Sequence, residues 1–217
     1  NPNLQPETST QWNVGVVWEP VRGMSLGVDY WNIEQQGTIS ALNPRNSINY
    51  ARFPERVIRG PIDPATPTLP GPIVGFDASL INLGTTQTSG IDVLFNWNAP
   101  TTEVGNFRVG LQGTCVLQFD TQIDGVNYVS LLGDAADGAP VPRWRSALTV
   151  DWTLGSWGAT LAHIYASGYD EPLPPPAVGT RSVGAVSTWD LQVRYTGFAD
   201  WQIAAGIRNL LDEEPPF

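Results

Sequence analysis

The side chains that could do chemistry are few in this sequence, and their types favour recognition over catalysis. One histidine, His163, and one cysteine, Cys115, stand among 217 residues. A lone imidazole and a lone thiol supply neither a zinc ligand set nor an internal disulfide. A Ser–His–Asp relay would have to rest on His163, which falls on the apolar face of a strand, and is discounted. Glycine-rich phosphate loops are absent. Carboxylates gather only loosely, at Asp134 and Asp137, at Asp170 and Glu171, and at Asp212, Glu213 and Glu214. Oxygen-rich loops can hold Ca²⁺, but this spacing matches no defined calcium loop. No catalytic residue, metal ligand or cofactor is therefore expected, and the chain does not read as an enzyme. What remains is aromatic and cationic. Tyr50, Arg52, Phe53, Arg56 and Arg59 share one short stretch, and Arg143 and Arg145 flank Trp144. Guanidinium groups beside aromatic rings suit a carboxylated chelate or a sugar, so these residues are the expected ligand-binding set.

The elements that must carry them alternate. In Trp144-Arg145-Ser146-Ala147-Leu148-Thr149-Val150-Asp151-Trp152, every second residue from Trp144 is Trp, Ser, Leu, Val, Trp, and the others are Arg, Ala, Thr and Asp. A strand turns successive side chains to opposite faces, which makes one face apolar and ended by indoles while the other is wet. Such a run tilted at roughly 45° rises about 20 Å, the height of the apolar band of an outer-membrane barrel. Indoles favour the membrane–water interface. The nine tryptophans mostly end runs of this kind, and Trp12, Trp18, Trp97, Trp144, Trp152, Trp157, Trp189 and Trp201 are expected to form membrane girdles.

Eight such runs are expected, beginning near Thr10, Met24, Ile81, Phe107, Trp144, Trp157, Trp189 and Trp201. The connections between them alternate short and long. In outer-membrane barrels the short turns are periplasmic and the long loops extracellular. That puts the stretch 37–79, read here as irregular and proline-stiffened, outside the cell with the aromatic–arginine set on it. Loops held by a rigid scaffold are where recognition concentrates, and excision of residues 45–60 is expected to abolish ligand uptake. The wet face carries Arg108, Arg143, Arg145, Arg194 and Arg208 alternating with Asp29, Asp92, Asp120, Asp151 and Asp190, as in a hydrated lumen wall with charges paired across strands.

Composition bounds the rest. The net charge of −10 excludes a nucleic-acid footprint. No window approaches 18 consecutive apolar residues, so no transmembrane helix is expected, although a mean hydropathy of −0.13 is compatible with membrane strands that give lipid only alternate residues. Asn1-Pro2-Asn3-Leu4 has neither the basic start nor the apolar stretch of a signal peptide, as expected if the chain begins inside a longer exported protein.

Four segments, in order along the chain, resemble a known family. Asn1-Pro2-Asn3-Leu4-Gln5-Pro6-Glu7-Thr8-Ser9-Thr10 is similar to a segment entering a late barrel strand of TonB-dependent outer-membrane receptors. Phe53-Pro54-Glu55-Arg56-Val57-Ile58-Arg59 is similar to a stretch in one of their outer loops. Ile81-Asn82-Leu83-Gly84 followed by Thr88-Ser89-Gly90-Ile91-Asp92-Val93 resembles one of their strands. Ile207-Arg208-Asn209-Leu210-Leu211-Asp212-Glu213-Glu214-Pro215-Pro216-Phe217 resembles the segment before the last strand.

The resemblance implies an all-β fold, an antiparallel transmembrane barrel of about 22 strands, of which residues 1–217 would be a C-terminal portion of about eight. It implies that the plug domain and the final strand lie outside this sequence. It implies a location in the bacterial outer membrane, against lipid, and import of a scarce small nutrient (iron chelate, cobalamin or oligosaccharide) driven by the TonB complex through the plug. A passive porin-like barrel and a secreted β-rich interaction module built as a sandwich are the alternatives.

Overall fold

The computed structural model describes residues 3–42, 47–122, 125–135, 140–173 and 177–216. Eight long strands form the wall of one sheet: β1 (Thr8–Trp18), β2 (Met24–Gln36), β3 (Thr85–Asn98), β4 (Asn106–Gln122), β5 (Trp144–Leu154), β6 (Trp157–Ala166), β7 (Val186–Tyr195) and β8 (Ile203–Ile207). Their spatial order is their chain order, and the short strand Tyr128–Ser130 adds to β4. The pairs β4/β5, β5/β6, β6/β7 and β7/β8 are antiparallel.

Register carries the alternation of single strands across the sheet. Leu111, Leu148, His163 and Trp189 stand opposite one another along one row, and Val109, Val150, Leu161, Leu191 and Ile207 along the next. The intervening rows are mainly polar: Thr114 opposes Arg145, Arg108 opposes Asp151, and Asp151 opposes Thr160. Residues directly opposite in a ladder share a face, so one face of β4–β8 is mainly apolar, broken by the row Gly113, Ser146, Tyr165 and Ser187, and the other is mainly polar, broken by Ala147 opposite Ile164. A sandwich would pack that apolar face on a second sheet. Among the described residues the buried hydrophobic side chains are Leu42, Leu83, Leu132 and Val183, none of them on a wall strand. The apolar face is thus open over its length, as a lipid-facing wall requires and a soluble sandwich forbids.

The chain divides into two compact units, residues 1–10, 34–86 and 121–129, and residues 11–33, 87–120 and 130–217. The first contains more regular structure than the expected irregular loop. Ile39–Ser40 pairs with Ile81–Asn82, Val57–Arg59 pairs with Ile73–Phe76, and Ser47–Arg52 and Pro54–Arg56 are short helical turns. The third wall strand accordingly starts at Thr85 rather than near Ile81. Gly84 separates the two segments with φ of 82°, and a Cβ there would lie 2.5 Å from the Gln122 carbonyl oxygen, so only glycine makes the turn. In the second unit, Tyr169–Pro172 pairs with Thr180–Val183 inside the expected proline-rich loop. Trp201, expected in the last strand, precedes β8, which begins at Ile203.

Candidate ligand-binding face and loops

The aromatic–arginine set lies in the first unit, where much of it holds the loop together. Arg56 is largely enclosed, with 13% of its side chain exposed. Its guanidinium donates to the Asp77 carbonyl at 3.2 Å, the Ser79 carbonyl at 3.0 Å and the Ser79 hydroxyl at 3.1 Å, and lies 3.7 Å from the Asp77 carboxylate. The Ser79 N–H donates to that carboxylate at 2.9 Å. These Ser79 bonds, and then the Arg56 charge, hold the Asp77 carboxyl below the ordinary aspartate range. Tyr50 packs its ring 5.0 Å from Phe76. Arg59 donates to the Gly71 carbonyl at 2.9 Å, and Arg52 stands over the Phe53 ring at 5.7 Å. Arg59 is exposed and spends one of its five N–H groups on that bond, leaving a cationic edge that an anion can meet.

Arg143 and Arg145 lie in the second unit. Arg143 reaches the Leu132 carbonyl at 3.5 Å, while Arg145 projects from the polar face of β5 and lines a shallow cleft with Gln112, Thr114 and Ala147. The expected pairing of opposite charges takes a different form. Asp92 accepts from the Thr114 hydroxyl at 2.6 Å, Asp151 from the Thr160 hydroxyl at 2.5 Å, and Asp190 from the Asn209 N–H at 2.8 Å. Threonine hydroxyls on adjacent strands reach Asp92 and Asp151, and a backbone N–H just past β8 reaches Asp190, without the entropy cost of ordering an arginine.

The aromatic rows can be placed by register. Trp152 opposes Phe107, and its indole N–H donates to the Val104 carbonyl at 2.7 Å. Trp157 opposes Tyr195 with ring centroids 4.7 Å apart. Those residues sit at the short-turn ends of their strands. Further along, in the row of Leu148, His163 stacks on Trp189 at 4.3 Å and its Nε2 lies 2.9 Å from the Ser187 hydroxyl, while Trp12 lies 5.2 Å from Tyr30, midway along β2. Trp144 covers Gly113, where a Cβ would fall 2.3 Å from the indole. Trp18, Trp157 and Trp201 are exposed, and Trp97 at 37% barely so.

One aromatic residue of the polar face has no place in the expectations above. β2 runs on to Gln36, which puts Trp31 and Ile33 on the face of Asp29. The signal was the parity of Asp29, continued past Tyr30; two large apolar residues on a wet face hid it.

A family model described as "TonB dependent receptor-like, beta-barrel" matches residues 1–210. No curated protein matches the chain. Among solved structures, a point variant of the ferric enterobactin receptor of Pseudomonas aeruginosa is 15% identical with a TM-score of 0.64, over 98% of this chain and 27% of that one. The ferripyoverdine receptor of the Pseudomonas aeruginosa outer membrane, bound to ferripyoverdine, is 13% identical with a TM-score of 0.62, over 97% and 24%. The outer-membrane transporter YddB of Escherichia coli is 12% identical with a TM-score of 0.66, over 99% and 30%. Likeness at these identities concerns the fold, and the chain spans between 24% and 30% of the length of these proteins.

Proposed function

The chain belongs to the family of TonB-dependent receptor-like β-barrels, proteins of the bacterial outer membrane that transport and are not enzymes, and from that premise we propose that it is part of the wall of an active importer. In this reading residues 1–217 are a C-terminal portion of the barrel, and the receptor binds a scarce nutrient outside the cell. The receptor then moves it inward with energy from the TonB complex, acting through a plug domain elsewhere in the protein. A ferric chelate is the favoured substrate class. The neighbouring folds include the ferric enterobactin, ferripyoverdine and ferric yersiniabactin receptors and a ferric citrate transporter, and an exposed arginine edge suits an anionic chelate. The tryptophans serve as the membrane girdles, a role supported at the short-turn side by Trp152 and Trp157, which close the apolar face there.

The observation that supports this reading is an open, mainly apolar face paired with a mainly polar one, on a chain that the receptor-like barrel family model matches over residues 1–210. The loop of the first unit supplies recognition through Arg52 and Arg59, while Arg56 keeps it folded. Because Val57–Arg59 is paired with Ile73–Phe76, removing 45–60 alone would strand half a ribbon. The cleaner test replaces 45–79 with a short glycine–serine linker in the intact receptor. Uptake of the ferric chelate by iron-starved cells is expected to be lost, while the barrel still reaches the outer membrane and still shifts in electrophoretic mobility on boiling. Retained uptake would overturn the assignment of recognition to this loop.

A further inference from the structure

The polar face of β2 and β3 carries a cleft that none of the assignments above uses. It measures about 530 Å³ and is lined by Gln11, Asn13, Asp29, Trp31, Ile33 and Asp92, with Trp12 at its margin. The backbone is shaped around its side chains. A Cβ on Gly15 would meet the Asp29 carboxylate at 1.8 Å, and a Cβ on Gly90 would meet the Trp31 indole at 2.4 Å. Glycine at both places lets the carboxylate and the ring lie against neighbouring backbone, which fixes where each points.

We propose that Asp29, Trp31 and Asp92 form a binding site for an organic cation, an ammonium or guanidinium group. Two carboxylates and two indoles, those of Trp31 and Trp12, line the cleft, and no basic side chain of the chain does. These 217 residues contain no lysine, so any compensating charge from within them comes from an arginine. The arginine nearest along this row is Arg145, in register with Thr114, and Thr114 in turn donates to Asp92. That places Arg145 two strands from Asp92, about 10 Å away. A neutral sugar would leave two negative charges uncompensated beside the ring. A bare metal ion would find too few ligands, since the described residues hold no group of three or more His, Cys, Asp or Glu side chains suited to one. An alkylammonium or guanidinium group satisfies all three side chains together: its positive charge meets the indole face and its N–H groups meet the carboxylates.

The inference rests on reading the polar face as the lumen wall of the receptor. Within that lumen the cation has two sources, a basic side chain of another part of the same receptor or a free small molecule. The test uses the intact receptor purified in detergent, with agmatine as the probe because it carries both cationic groups. Calorimetric titration at low ionic strength is compared for the native receptor, Asp29→Asn with Asp92→Asn, Trp31→Leu and Trp31→Tyr. Binding that weakens about tenfold in the first two variants and is kept in Trp31→Tyr supports a free cation. If agmatine does not bind, the melting midpoint is followed against salt. A native midpoint that falls with salt, and loses that dependence in Asp29→Asn with Asp92→Asn, supports an internal basic side chain, because screening acts on a charge pair and not on packing. No binding together with equal salt dependence in native and variant overturns the proposal. Boiling-dependent mobility of the same preparations reports the barrel itself, so failure of the site and failure of the receptor reading are separate results.

Discussion

At the scale of single residues, the least expected assignment is Arg56. Its type and aromatic company suggest a ligand contact, yet its hydrogen bonds end on Asp77 and Ser79, twenty-one and twenty-three positions away. Two of those acceptors are backbone carbonyls, which carry no signature in a sequence. Parity was legible because it is written into residue type, and Leu148, Val150 and Trp152 fall on the face their spacing assigns. The destination of a long side chain was not. The same knot has a pH dependence of definite sign. Asp77 has a carboxyl held below its ordinary range by Ser79 and Arg56. A depressed value means the contribution is present above the unfolded value and disappears as pH falls through the folded one. Hydrogen exchange over residues 57–79 is therefore expected to be faster in Asp77→Asn than in the native receptor at neutral and mildly acid pH. The two should converge only below the ordinary aspartate range. Convergence at mildly acid pH would show that the Ser79 and Arg56 contacts do not hold the ribbon.

Among the elements, the hairpins read most clearly. β5 and β6 are joined by Gly155 and Ser156, with Leu154 opposite Trp157. Gly155 has φ of 56°, and Ser156 is not among the positive-φ residues, the pattern of a type II′ turn with glycine first. A Cβ at Gly155 would meet nothing within 4 Å, so its requirement is conformational and not steric crowding. Gly155→Val is expected to lower the stability of the hairpin by about 1–3 kcal/mol, read as an earlier midpoint for the heat-induced mobility shift, whereas Gly155→Asn should lose less. Equal loss in the two variants would argue against the backbone explanation. Most wall-strand ends were found within a few residues because most of these strands alternate several times; β2 is the exception, running to Gln36, six residues past Tyr30. Ribbons such as Ile39–Ser40 with Ile81–Asn82 are two residues a side. At that length alternation has no period to detect, and their pairing is decided by turns such as the one at Gly84.

For the molecule taken whole, the accessible surface is the deciding magnitude. A folded soluble monomer of 23.5 kDa exposes roughly 9,800 Å², and this chain exposes 14534 Å². Large apolar side chains are among the exposed ones, with Val14, Val16, Val17 and Trp18 each more than 60% exposed on β1. Both β1 and β8 have a single neighbour in the sheet, so each presents a row of unpaired backbone groups that neither water-facing folding nor lipid tolerates. The isolated 217-residue chain is expected to aggregate in detergent-free buffer; a monodisperse, cooperatively melting monomer there would contradict the open-wall reading. The fold class was legible because alternation specifies a face, although it does not specify what covers it.

Spatial order equal to chain order has a further consequence, and it concerns inheritance. Each hairpin is bordered only by the hairpins next to it in the gene, so a change of loop length alters no strand crossing and rethreads nothing. Segments such as 37–84 and 167–185 can be exchanged between receptors as cassettes, with the wall serving as a common chassis. If the loops hold the ligand, as proposed, new specificities would arise by recombination at hairpin boundaries, where the residues that must match are the few that face the neighbouring strand.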